Sequence, residues 1–192
     1  INYQKTINIL TNANELESRR AARFRDEIGL NEDQVAQGYR DITKLSIDSA
    51  TRAFNFRLIN GLLYGNKDYY RFGFKGSPNC PHCDEEDQNA IHVLWDCPVT
   101  ERLRLELARD NLDLFLNKKD AIAGAQQKPI AFIALKLNQY LISKNYHDEP
   151  ISKLGFKAYL FGQKSVESAI ALANGKIETH NKKWSKINRL LP

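Results

Sequence analysis

All three cysteines of this 192-residue chain fall in one short stretch, Cys80-Pro81-His82-Cys83, then His92 and Cys97, a C-x2-C-x8-H-x4-C arrangement. A two-residue gap lets two thiolates reach one metal from a single tight turn. His92 and Cys97 converge on the same point if Val93-Leu94-Trp95-Asp96 makes a helical turn. Three thiolates and an imidazole are the closed tetrahedral donor set that zinc favours in structural sites, so one zinc on Cys80, Cys83, His92 and Cys97 is expected. A filled shell leaves no position for an activated water, which argues against hydrolytic zinc chemistry. An odd cysteine number in a chain that looks intracellular argues against a disulfide. His82 could substitute as a ligand, but its place in the turn points it away and it is expected at the surface. His147 and His180 have no partner by spacing and are expected to be exposed.

The segments around this cluster read as helices. An Arg/Glu-rich stretch from Asn14 ends at Gly29, and Asn31 with Gln34 three residues later looks like a capping box opening a second helix. Ile47, Ala50, Phe54, Leu58 and Leu62 recur at helical spacing, with Asp48 in the first turn and Gly65 after the last. Thr100 is a candidate cap for a helix carrying Leu103, Leu107 and Leu114. Pro129 opens a strongly apolar helix through Asn145, and Ser165 is a candidate cap for another that ends at Asn174-Gly175. A short hairpin around the cysteines is the only strand signal. The expected fold is mainly α, a helical bundle with one small zinc-stabilised knuckle inserted between helices. The expected organisation is an N-terminal helical segment over 1–45, a basic helix plus knuckle over 46–117, and a C-terminal helical bundle over 118–192.

Charge is unevenly spread. Residues 1–75 carry 12 Lys/Arg against 9 Asp/Glu, residues 76–117 carry 3 against 9, and residues 118–192 carry 13 against 5. Basic ends attract phosphate backbones by counterion release, which makes nucleic acid the natural partner, although lysines on helix faces are also ordinary solvated surface. No apolar run is long enough to span a bilayer, and no basic-then-apolar leader opens the chain, so nucleus and cytoplasm are the expected locations. The chain has no Met and begins at Ile1, which suggests a piece of a longer polypeptide.

Several of these stretches resemble one family. They are Phe54 through Phe74, Cys80-Pro-His-Cys83, Ile91-His-Val-Leu-Trp-Asp-Cys-Pro98 and Arg102. In that order they look like the zinc-binding segment that follows the polymerase core of non-LTR (LINE-type) retrotransposon reverse transcriptases, with Val93 where that family most often has Leu. More weakly, Ile130 through Leu137, Glu167 through Lys176 and Trp184 are similar to the helices closing those proteins. The resemblance implies a share in target-primed reverse transcription, with RNA, target DNA or their hybrid as ligand and upstream polymerase domains of the same polypeptide as partners. No YxDD-like acidic pair occurs, so the chain by itself is expected to be a binding module rather than a polymerase.

The expected phosphate contacts are Arg52, Arg57, Lys67, Arg71, Lys75, Arg102 and Arg104. Tyr69, Tyr70, Phe72 and Phe74 are candidates to stack on an unpaired base, two or three of them being expected in the core instead. Phe54, Phe56 and Trp95 are assigned to the core. Two other readings stay open: a protein-interaction module with zinc as a staple, and a domesticated stand-alone zinc protein.

Overall fold

A computed structural model describes residues 19–44, 48–85, 87–109, 118–122, 128–147 and 150–188. The expected start of the first helix at Asn14, and Ile47 and Leu114, lie outside the described residues, as does the side chain of His147. The described residues are mainly helical and contain no strand. In order they are α1 (Arg19–Ile28), α2 (Glu32–Lys44), α3 (Ser49–Ile59), the short α4 (Asn66–Arg71), a π-helical turn (His92–Asp96), α5 (Pro98–Ala108), α6 (Lys118–Ile122), α7 (Lys128–His147), α8 (Lys153–Ala173) and α9 (Ile177–Asn188).

Local chemistry explains most boundaries. The Asn31 side chain accepts from the Gln34 amide at 2.8 Å and the Gln34 side chain accepts from the Asn31 amide at 3.0 Å, closing the capping box before α2. Asp48 is the N-cap of α3, accepting from the Thr51 amide and hydroxyl at 2.7 Å each. Such a cap stabilises a helix by about 1 kcal/mol.

Three readings of the sequence change here. Helix α3 stops at Ile59 instead of running on to Leu62, because Gly61 turns left-handed with φ +61 where the Phe24 ring crowds it. Its buried face is Thr51, Phe54, Asn55, Leu58 and Ile59, which leaves Ala50 exposed. Asn55 is tolerated there because its amide donates to the Thr51 carbonyl at 2.8 Å. Phe56 is 37% exposed, its ring 6.2 Å from that of Tyr39, and so stands outside the core. Further on, Ser165 caps nothing: α8 starts a dozen residues earlier, capped by Ser152, and the Ser165 hydroxyl donates back to the Phe161 carbonyl. The expected end at Asn174-Gly175 does stand.

One hydrophobic cluster joins every helix but α4. Its members include Ile28, Phe54, Leu94, Leu107, Leu137, Phe156 and Trp184. At its centre α7 packs on α3, α8 and α9 and is buried on every side from Ile133 to Asn138. Lys136 inside this run is matched by Glu167 of α8 at 3.0 Å. Glu167 also accepts from Lys183 at 2.9 Å and from the Trp184 indole at 3.1 Å, and Lys183 reaches Asp48 at 3.0 Å. Burial raises the Glu167 carboxyl, but the two lysines outweigh it and hold the group below its usual range. The His180 side chain, expected outside, is 7% exposed and lies against Trp184.

Candidate metal centre and the cleft beside it

The knuckle is built between α4 and α5. Gly65 caps α4 where its backbone meets the cysteine segment: an added Cβ would lie 2.3 Å from the Gln88 carbonyl, and the Lys67 amide donates to that carbonyl at 3.0 Å. Glycine is required here by the close approach of two backbones. The Cys80 carbonyl accepts from the Asp84 amide at 2.9 Å and the Cys80 amide donates to the Glu85 carbonyl at 2.9 Å, so the CxxC pair sits on a tight turn instead of a hairpin. Asp84 takes φ 57, the left-handed conformation that Asp tolerates better than most residues.

On the other side, the Cys97 amide donates to the His92 carbonyl at 2.7 Å, an i to i+5 bond. This π turn brings residues five apart to one side of the backbone, as two ligands to one metal require. Cys80, Cys83, His92 and Cys97 thereby place their ligand atoms within 4.8 Å of one another. Cys80 and Cys97 Sγ are 3.9 Å apart, and Cys83 Sγ is 3.3 Å from His92 Nε2. A tetrahedron with metal–sulfur bonds of about 2.3 Å and metal–nitrogen bonds of about 2.05 Å has edges of roughly 3.8 and 3.5 Å, so these four residues fit a single metal ion. Cys80, Cys97 and His92 are buried and Cys83 is half-buried, a closed set of the structural kind.

The Cys80 thiol donates to Cys97 and, against the effect of burial, pulls the Cys97 thiol down to about 4, helped by the Thr100 and Val99 amides opening α5. Cys80 keeps the shared proton and is pushed up, burial adding to the effect, and burial also raises Cys83. Metal binding displaces such protons. Thr100, expected to cap α5, instead donates its hydroxyl to the Cys97 carbonyl at 3.1 Å, and Cys97 itself is the cap.

A polar shell that the spacing did not reveal holds the ligands. Gln88, fully buried, donates to Cys80 Sγ at 3.6 Å and accepts from the Asn66 amide at 3.0 Å. Asn89 accepts from the His92 amide at 2.8 Å, and Glu85 lies 3.6 Å from His92 Nδ1. Partners of this kind orient metal ligands. His82 is half-buried rather than fully at the surface.

The cationic residues separate into groups. Lys67 and Arg71, four apart on α4, line a cleft of about 590 Å³ with Arg23 of α1 and Lys118 of α6, over a floor that includes Phe24, Leu63 and Ile91. Lys67 pairs with Asp87 and Lys118 with Asp96, each at 2.7 Å. The guanidiniums of Arg23 and Arg71 make no hydrogen bond or ion pair with another described residue. Arg52 and Arg57 stand on the exposed face of α3, and Arg102 is exposed on α5. Lys75 and Tyr69 line a small pocket on the far side of α4, with Tyr64 and Asn138. Arg104 is half-buried, donates to the Trp95 carbonyl and has its pKa lowered by burial, so it braces the π turn. Against the expectation that two or three of the four aromatics would be core, Tyr70, Phe72 and Phe74 are exposed, Phe74 at 78%, and Tyr69 is half-buried. Phe72 packs edge-on against Tyr64 at 5.6 Å and Phe74 at 6.5 Å. Phe54 and Trp95 are core as expected.

Arg23 and Lys118 come from segments remote in sequence, and no local pattern marks them. Comparison with family models, with curated proteins and with solved structures gave no match. No helix among the described residues is long and apolar enough to cross a membrane.

Proposed function

We propose that this chain is the nucleic-acid-binding, zinc-knuckle module of a non-LTR retrotransposon reverse transcriptase, placing RNA or target DNA during target-primed reverse transcription. Zinc is the metal that three thiolates and an imidazole select, and it acts as a structural centre. The observation that carries the reading is the cleft beside the knuckle, where Arg23 and Arg71 offer two guanidiniums that pair with no other described residue, above apolar side chains. Guanidinium forks suit phosphate, and the exposed Tyr64–Phe72–Phe74 edge on the other side of α4 suits unpaired bases. The sequence resemblance supports the polymerase context.

The test is fluorescence anisotropy with single-stranded RNA over a salt series. Arg23→Ala with Arg71→Ala weakens binding about tenfold and flattens the salt slope, while Arg52→Ala with Arg57→Ala on α3 costs less. Equal losses from both pairs would remove the cleft from the account. The protein-interaction reading keeps one specific support, the uncharged outer face of α8.

A further inference from the structure

Helix α8 buries Phe156 and Leu160 and turns its opposite face to solvent along its length. On that face Leu154, Phe161, Val166, Ile170 and Leu172 are each more than half exposed. Between them run Ala158, Gly162, Ser165 and Ala169, at spacings of four, three and four, which place them on one stripe. The charged residues of the helix are half-buried and flank or back this face: Lys164 lies over the Trp184 ring at 5.9 Å and Glu167 sits in the lysine network. An uncharged, apolar surface this long is rare on a monomer. A Cβ added at Gly162 meets no atom within 4 Å, so nothing in the described residues crowds that position. The Ser165 hydroxyl is satisfied by the Phe161 carbonyl at 3.0 Å and makes no further demand on a partner.

We propose that this face pairs antiparallel with the same face of a second copy of the chain, about a twofold axis passing between Gln163 and Lys164. The sequence is self-complementary about that point. It sets Leu154 against the partner's Ala173, Ala158 against the partner's Ala169, Phe161 against the partner's Val166 and Gly162 against the partner's Ser165. Small residues then meet at the axis, where the helices approach most closely, and Leu154, Phe161 and Leu172 each lie over a smaller residue, while Ile170 lies against the aliphatic stem of the partner's Lys157. Lys164 sits near the axis but is drawn back over its own Trp184, so like charges do not meet. Five side chains with on the order of 100 Å² uncovered each amount to about 1,000 Å² over two copies, at the lower edge of specific interfaces.

Sedimentation equilibrium on the full zinc-loaded chain, free of nucleic acid, tests this. The wild-type chain sediments at twice its monomer mass at concentrations on the order of 100 µM. Phe161→Asp weakens association about tenfold or more, and so does Gly162→Leu, which wedges the axis; both keep the monomer fold by circular dichroism because both sites face solvent. Phe161→Asp combined with Val166→Lys regains dimer at low salt, because each new carboxylate faces the partner's new ammonium. A wild-type monomer at that concentration, a dimer indifferent to Phe161→Asp, or a double variant that stays monomeric overturns the proposal.

Discussion

The knuckle and the α7–α9 helices are held together by different physics. Among the described residues of 76–90 only Cys80 and Gln88 are buried, and charged, polar and turn residues make up nearly all the rest, so the segment has almost no apolar surface to hide. Asp84, Glu85, Glu86 and Asp87 add like charges that oppose compaction, with Lys67 as a partner for Asp87. Such a segment needs a metal to close it. The α7–α9 helices bury Ile133, Leu137, Tyr140, Phe156, Trp184 and Ile187 and neutralise the buried Lys136 with Glu167. The π turn joins the two regimes, since Leu94 and Trp95 lie in the core while His92 and Cys97 at its ends face the site. The difference teaches that a metal ion held by the four ligands would order a loop, while the helices carry the fold.

Cys97→Ser, or chelation, is expected to have the largest effect and to divide the molecule along that line. Structural zinc contributes on the order of 10 kcal/mol in small modules. Hydrogen exchange should show the 78–90 amides losing protection while α7–α9 keep theirs. Simultaneous loss of protection in both regions would mean the comparison is drawn in the wrong place.

Glu167→Gln attacks the other side. It removes the carboxylate that Lys136 and Lys183 share and leaves Lys183 paired with Asp48, at a cost of about 2–3 kcal/mol, discounted because the Glu167 side chain remains 26% exposed. Because the folded carboxyl titrates below its ordinary value of 4.5, its contribution is present above that value and is lost as pH falls through the lowered one. Thermal melts of wild type should therefore weaken toward acid more steeply than those of Glu167→Gln, with zinc content unchanged at neutral pH. Parallel acid profiles would show that the network contributes nothing.

A smaller effect is expected at Gln88→Ala, which removes the donor to Cys80 Sγ and the acceptor for the Asn66 amide. Competition with a chromophoric chelator should read about tenfold weaker metal affinity. Unchanged affinity would reduce Gln88 to packing.

How much of this was legible in the sequence depended on whether a feature was local. Cysteine and histidine spacing named a donor set that the fold does bring together, and apolar periodicity gave the helical class. The face of α3 was misread because Thr51 and Asn55 are polar yet buried, satisfied by bonds inside the helix. Ser165 mimicked a cap because its hydroxyl serves the helix interior equally well. Gln88, Asn89 and Asn66 carry no mark in the sequence, since nothing local distinguishes an amide that orients a thiolate from one that faces water. Arg23 and Lys118 join Arg71 only through tertiary packing, which no spacing encodes.

Metal analysis of the purified chain by inductively coupled plasma spectrometry, run beside Cys97→Ser, tests the central claim most directly. The account predicts about one zinc per wild-type chain, as a closed four-ligand site requires, and little in the variant. A wild-type chain without metal whose 78–90 amides are nonetheless protected would contradict it.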